Sequence, residues 1–190
     1  MPPMSVRLAT FNVENLMNRF DFSGYHNELW QDRAVALFDI KDEAEYREVE
    51  RARAIAHTDD TRQLSALAIA ETGADILCLQ EVDNLDALKA FEYGYLFKMV
   101  GRGYRYKYMT AGNDGRGIDV AVMMRPETRH GQPIEFVAMT SHAHVTFEDF
   151  DLHTPELAEL GIEPFARIFR RDCLEVDVLV DGRPLTIYTV

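Results

Sequence analysis

The chain has 190 residues, of which 47% are hydrophobic and 27% charged, and this composition is typical of one folded domain spanning residues 1–190. No apolar run approaches the roughly 20 residues of a membrane-spanning helix, and the start lacks a signal-peptide pattern, so we expect a cytoplasmic protein without a membrane partner. The formal net charge of -12 argues against a protein that coats nucleic acid. A phosphate-bearing substrate would therefore need a local basic patch or a bound cation.

The first half of the chain predicts two strands joined by a helix. An apolar strand over about residues 6–13 is expected to end on Asn12, and a buried strand at residues 76–80 is expected to end at Glu81. Between them we predict an aromatic-rich surface excursion (residues 17–40), an exposed charged helix (42–57) and a second helix (61–72) capped by Asp60. A strand, helix, strand unit makes the two strands parallel, so Asn12 and Glu81 should lie at one sheet edge, within reach of one ion or phosphate.

A helix and a tyrosine-rich strand come next. The helix is predicted over residues 83–99, weakened by one glycine and capped by Asp83 or Asn84. In the strand that follows, three alternating tyrosines are expected to share one face: Tyr104, Tyr106 and Tyr108. They could stack on nucleic-acid bases, but packing against a neighbouring strand is the favoured interpretation.

The second half of the chain predicts mostly strands. A glycine-rich turn at residues 111–117 leads into an apolar strand that contains Asp119, and a short strand follows at residues 135–139. A long strand ending at residue 180 is followed by the hairpin pair Asp181-Gly182 and a returning strand over residues 185–190. Cys78 and Cys173 lie in apolar runs, so buried free thiols are favoured over a disulfide.

Three motifs, in their order and spacing, resemble the endonuclease/exonuclease/phosphatase family. They are Thr-Phe-Asn-Val-Glu-Asn-Leu at residues 10–16, Ala-Asp-Ile-Leu-Cys-Leu-Gln-Glu-Val-Asp-Asn at 74–84, and Gly-Asn-Asp-Gly-Arg-Gly-Ile-Asp-Val-Ala at 112–121. The family includes pancreatic deoxyribonuclease, abasic-site endonucleases, sphingomyelinases and inositol polyphosphate phosphatases. The resemblance covers the whole chain but only the first half or so of the family's domain.

The resemblance implies an α/β fold, a deoxyribonuclease-like four-layer α/β sandwich of two mixed β-sheets. It also implies hydrolysis of a phosphoester bond with Mg²⁺ or Mn²⁺ as cofactor. Glu81 matches the family's metal-ligand glutamate, and Asn12 matches the asparagine beside the metal and the scissile phosphate. Asp119 would orient a catalytic histidine, or it is a hydrogen-bonded strand acid. Arg116 would contact a phosphate, or it is a solvated loop residue.

The sequence departs from the family in its later motifs. The histidine that follows the last strand, an Asp-x-Asn motif and a final Asp-His pair are not found within these residues. We therefore expect a C-terminally incomplete, inactive piece of a nuclease, phosphodiesterase or phosphatase. The alternative is a non-catalytic half-domain that acts as an interaction module.

The expected partners follow from the same resemblance. A phosphoester is the expected substrate, with nucleic acid as one option, although the acidic net charge disfavours long duplex DNA. An incomplete sandwich would remove part of the cover from the apolar sheet faces of strands at residues 8–11, 76–79 and 174–180. We therefore expect either a homodimer that buries such a face or a poorly soluble fragment.

Overall fold

The structure is a computed structural model that describes residues 5–16, 41–56, 59–115 and 117–190. The predicted surface excursion over residues 17–40 lies outside the described residues. The described residues form seven strands, and their bounds are β1 Leu8–Leu16, β2 Ile76–Val82, β3 Tyr106–Met109, β4 Asp119–Met124, β5 Ile134–Ser141, β6 Leu174–Val180 and β7 Arg183–Thr189. They also form five α-helices, α1 Glu43–Ala56, α2 Asp59–Thr72, α3 Leu85–Phe91, α4 Phe97–Val100 and α5 Pro155–Glu159. None of these helices is long and apolar enough to cross a membrane.

The strands make two sheets, so the protein is a mixed α/β fold as predicted. One sheet has four strands in the order β1-β2-β4-β3, and the other has three strands in the order β5-β6-β7. Strands β1 and β2 are parallel neighbours joined through α2, which confirms the predicted strand, helix, strand unit. Two boundaries were predicted wrongly: β1 continues past Asn12 to Leu16, and α2 begins at Asp59, which places Asp60 inside the helix.

Strand β2 is buried on both faces, as its continuous apolar run predicts. Leu77 and Leu79 pack toward a helix layer that includes Ile69 of α2 and Leu88 of α3. The intervening side chains of β2 pack toward the second sheet. One apolar core thus fills the space between helices and sheet, and a second core fills the space between the two sheets.

The helix after β2 begins where the sequence predicts. The Asn84 side chain accepts a hydrogen bond from the backbone N–H of Ala87 at 2.8 Å, so Asn84 is the cap. The helix then widens into one π-helical turn, Glu92–Leu96, before it continues as α4. Within that turn the buried Glu92 carboxylate pairs with the Lys107 ammonium at 2.5 Å, which fastens the helix to β3.

The three tyrosines do not share one face, and this corrects the sequence prediction. Strand β3 begins only at Tyr106, and Tyr104 precedes it and packs into the core under the helices, where its hydroxyl donates to the Ala74 carbonyl at 3.0 Å. Tyr106 and Tyr108 pack toward the second sheet, where the Tyr108 ring stacks on Phe136 of β5 with centroids 4.2 Å apart. Packing in the interior of the fold therefore holds for Tyr106 and Tyr108 as favoured, whereas Tyr104 packs against the helix layer and not against a neighbouring strand.

The second sheet covers the first through the alternating face of β6. Leu174, Val176, Val178 and Val180 are buried between the sheets. The predicted Asp181-Gly182 hairpin joins β6 to β7, with φ of 53° and 73° at the two residues, as the tight two-residue turn requires. Because β2 and β6 are covered within this chain, the expectation that their apolar faces lack cover is wrong.

Both cysteines are buried free thiols, which confirms the sequence prediction. Burial raises the pKa of the Cys78 thiol to about 11, and burial also raises the pKa of Cys173. At about pH 8 a pKa of about 11 leaves roughly one Cys78 thiol in a thousand ionised, and the thiolate is the reactive form.

We therefore expect neither cysteine of the native protein to react with a disulfide reagent within minutes at about pH 8. Thiol titration with and without denaturant checks this, and the unfolded, unreduced protein should show both thiols. Fast reaction of the native chain would contradict the buried placement, and missing thiols in the unfolded chain would reveal a disulfide.

Candidate functional site

The site begins where the pairing of β2 with its two neighbours becomes irregular. Asn12 of β1 lies opposite Gln80 of β2, and the next β1 partner is Leu16, which lies opposite Val82. On the other side Gln80 pairs with Val120, whereas Val82 already pairs with Asp119. Glu81 is thus the additional residue of a β-bulge. Bulges of this kind redirect a side chain and are common beside active sites.

The bulge changes which side of the sheet the Glu81 and Val82 side chains face. In regular alternation Leu77, Leu79 and Glu81 would all point toward the helix layer. In the structure Val82 takes that apolar position, and the Glu81 side chain reaches Arg171 instead. The backbone of Glu81 has φ of 68°, a left-handed conformation that L-residues other than glycine rarely adopt. Such strain costs roughly 1–3 kcal/mol and is concentrated at functional sites.

Arg171, just before β6, brings two acidic residues together. Its Nη2 lies 2.9 Å from Glu81 Oε1, and its Nε lies 3.6 Å from Asp114 Oδ2. The three side chains are largely buried, with exposed fractions of 22% for Arg171, 17% for Glu81 and 12% for Asp114. Ion pairs that are shielded from water in this way are stronger than those on an open surface.

Backbone contacts fix the loop that carries Asp114. The N–H of Asn113 donates to the Arg171 carbonyl at 2.9 Å, and the Asn113 side chain donates to the Phe169 carbonyl at 3.1 Å. Gly112 fits against the same segment, where a Cβ atom would lie 2.7 Å from the Arg171 carbonyl carbon. The glycine-rich loop and the residues before β6 therefore form one unit.

Asp119 stands at the start of β4 beneath this loop. It is buried, and its Oδ1 accepts a hydrogen bond from the Gly112 N–H at 2.8 Å. Burial raises the pKa of Asp119 above its ordinary value, and the negative charges of Asp114 and Asp172 raise it further, while the Gly112 N–H and Arg171 counteract this. Asp119 is therefore a buried strand acid with a backbone hydrogen-bond donor.

A cavity of about 770 Å³ opens beside the Arg171 ion pairs. Its lining combines charged and apolar residues: Asn113, Asp114, Gly115, Ile168, Phe169, Arg170, Arg171, Asp172 and Val190. None of these nine is a histidine. The cavity joins the glycine-rich loop to the segment before β6, so a ligand held there would contact both.

The structure brings together only part of the residue set that the sequence predicts. Glu81 and Asp119 lie at the same edge of the four-stranded sheet, where β2 ends and the antiparallel β4 begins. Asn12 is exposed on β1, and its partner in the pairing, Gln80, directly precedes Glu81. Arg116 lies outside the described residues. The sequence analysis selected neither Arg171 nor Asp114 as a site residue, although Asp114 belongs to the quoted glycine-rich motif.

The oxygen donors fit a hard divalent cation. Mg²⁺ is usually held by one or two carboxylates, together with waters and substrate oxygens. Glu81 and Asp114 already converge on one positive charge, the Arg171 guanidinium, and Asn12 lies on the adjoining strand. Among the described residues there is no cluster of three or more His, Cys, Asp or Glu side chains that would form an all-protein metal cage.

Comparisons with protein-family models, with curated proteins and with solved structures returned no match for this chain.

The bulge at Glu81 gives a prediction about stability. Both Glu81→Gly and Glu81→Ala remove the carboxylate, but only glycine adopts a φ of 68° without cost. We expect Glu81→Gly to be the more stable variant, by about 1 kcal/mol, in chemical unfolding. Equal stabilities would show that residue 81 does not adopt the left-handed conformation in solution.

The contact at Gly112 gives a second prediction. A Cβ atom there would lie 2.6 Å from Asp119 Oδ1 and 2.7 Å from the Arg171 backbone, so Gly112→Ala should lower the free energy of unfolding by about 1–3 kcal/mol. Gly115→Ala is the matched control, because a Cβ atom at residue 115 meets nothing within 4 Å. If the two variants unfold at the same denaturant concentration, the close approach of loop and strand is refuted.

Proposed function

We propose that this chain supplies the metal-binding part of a Mg²⁺- or Mn²⁺-dependent phosphoester hydrolase of the endonuclease/exonuclease/phosphatase type. The observation that carries the proposal is Glu81. Its side chain is directed by a strained bulge at the end of a buried strand toward a cationic partner shared with Asp114. The family resemblance assigns a metal ligand to this same position.

The fold is compatible with that family. Under this proposal, the helix layer, the four-stranded sheet and the three-stranded sheet would be three of the four layers of a deoxyribonuclease-like sandwich. Asn12 and Glu81, the two residues with the clearest family counterparts, lie on adjacent parallel strands. Ligands of open α/β sheets are usually bound at the carboxyl ends of such strands.

The proposed chemistry assigns a role to each residue. Glu81 holds the cation, with Asn12 beside it, and Asp114 adds a second carboxylate to the same site. The bound cation would polarise the phosphoryl oxygen and stabilise the leaving oxygen. The adjacent cavity gives the phosphoester a place next to Arg171. Asp119, held by the Gly112 N–H, would orient a catalytic group.

An interaction module is the second candidate, and exposed apolar side chains in the segment between β5 and β6 favour it. The side chains of Phe150, Leu152, Leu160 and Phe165 are each more than half exposed. Large exposed apolar residues commonly mark contact surfaces. Sedimentation at two protein concentrations tests whether the chain self-associates through such a surface.

The metal site is tested by measuring Mn²⁺ binding to the 190-residue chain by paramagnetic resonance or calorimetry. Glu81→Gln should weaken the binding at least about tenfold, because the variant loses a charged ligand. Glu135→Gln, the same change at an exposed position of β5, should leave the affinity unchanged. Equal affinities of Glu81→Gln and the wild type would refute the metal assignment.

Catalysis is tested separately. In a protein that contains this chain together with the family's later motifs, Glu81→Gln should nearly abolish Mg²⁺-dependent phosphoester hydrolysis while the melting temperature stays close to that of the wild type. The 190-residue chain alone should bind the cation without turnover. Turnover by this chain that persists in Glu81→Gln would contradict the proposed role.

A further inference from the structure

The Arg171 guanidinium occupies the charged centre of the site. It contacts Glu81 Oε1 at 2.9 Å and approaches Asp114 Oδ2 at 3.6 Å, and the three groups are shielded from solvent. An ion pair in such a place is held more firmly than one on the open surface. A metal cation that binds to the same carboxylate oxygens must compete with this guanidinium.

Two physical reasons favour such competition. First, an oxygen lone pair that accepts a hydrogen bond from Arg171 is not available to a metal ion. Second, a divalent cation beside an arginine places two positive charges in contact, and their repulsion is strong where water is largely excluded. Displacing Arg171 requires space, and the cavity of about 770 Å³ that its side chain lines provides it.

We propose that Arg171 is an internal competitor of the divalent cation. In the metal-free chain its guanidinium holds Glu81 and Asp114 in place, and binding of the cation drives the guanidinium from these carboxylates into the adjacent cavity. This inference rests on the proposed metal site. It goes further by assigning to Arg171 the control of how tightly that site binds.

The size of the effect follows from linkage. If the binding-competent arrangement is only a fraction of the population, the apparent dissociation constant rises by the inverse of that fraction. Removing the competitor should therefore lower the dissociation constant for Mn²⁺. We expect Arg171→Gln to bind Mn²⁺ about tenfold more tightly than the wild type, equivalent to about 1.4 kcal/mol.

The matched control is Arg170→Gln, which removes the same charge from the neighbouring residue. Arg170 lines the same cavity but is exposed. The Arg170→Gln variant therefore shows how much the loss of one positive charge changes Mn²⁺ affinity when the contact between Arg171 and Glu81 is kept. Its Mn²⁺ affinity should rise less than about threefold, because an exposed charge is screened by water and salt. Arg171→Lys keeps a charge but loses the planar fork, so its affinity should fall between those of the wild type and Arg171→Gln.

The experiment is a Mn²⁺ titration, followed by paramagnetic resonance, of the wild type and four variants: Arg171→Gln, Arg170→Gln, Arg171→Lys and Glu81→Gln. Thermal melting of each shows that it is folded. An Arg171→Gln affinity no higher than that of Arg170→Gln would overturn the inference while leaving the metal site intact. If Glu81→Gln binds as the wild type does, the proposed metal site itself fails, and the inference fails with it. Should Arg171→Gln not fold, Arg171→Lys decides, because an unchanged Mn²⁺ affinity in that variant contradicts competition.

Discussion

Strand β2 has to bury side chains on both of its faces, and this requirement determines how the described elements are arranged. Leu77 and Leu79 are buried by packing against the helices on one side of the sheet. Ile76 and Cys78 are buried by packing against the three-stranded sheet on the other side. Each buried side chain of this size contributes roughly 1.5–3 kcal/mol when it is removed from water. A charged side chain without a partner would be costly at the next helix-facing position, and the bulge at Glu81 moves its carboxylate out of the alternation.

The bulge in turn explains the contacts that surround it. Once Val82 fills the apolar position, the Glu81 carboxylate needs a partner, because a shielded charge without one is costly. Arg171 meets that need, and its carbonyl also accepts the Asn113 N–H, which holds the glycine-rich loop against the segment before β6. The loop then places the Gly112 N–H on Asp119. One local irregularity in β2 is therefore linked to Glu81, Asp114 and Asp119.

The sequence predicts the features that depend on neighbouring residues. The Asn84 cap and the Asp181-Gly182 hairpin follow from residues a few positions apart, and the parallel pairing of β1 with β2 follows from the order strand, helix, strand, which each element's own pattern indicates. Contacts between distant parts of the chain leave no such pattern. Arg171 and Glu81 are 90 residues apart, and neither the arginine nor its flanking residues form a motif that indicates the pair.

The same distinction explains the other differences between prediction and structure. Tyr104 continues the alternation of Tyr106 and Tyr108 in sequence, but it lies before the start of β3, and its hydroxyl bonds to the Ala74 carbonyl on the side of the helices. Likewise, β1 runs beyond Asn12 because β2 offers it a partner as far as Val82. Pairing with a neighbour that is distant in sequence, rather than local preference, sets these boundaries.

The charge balance of the site bears on the order of events in the proposed function. Four acids lie in this region (Glu81, Asp114, Asp119 and Asp172), and Arg171 pairs with the first two. The whole chain carries a formal charge of -12 as well, so the field around it repels phosphate. A phosphoester gains little by approaching acids whose arginine is already paired. A divalent cation would offset two of these negative charges and release the guanidinium for the phosphoester. Under the proposed function, we therefore expect the bound cation to promote binding of the phosphoester.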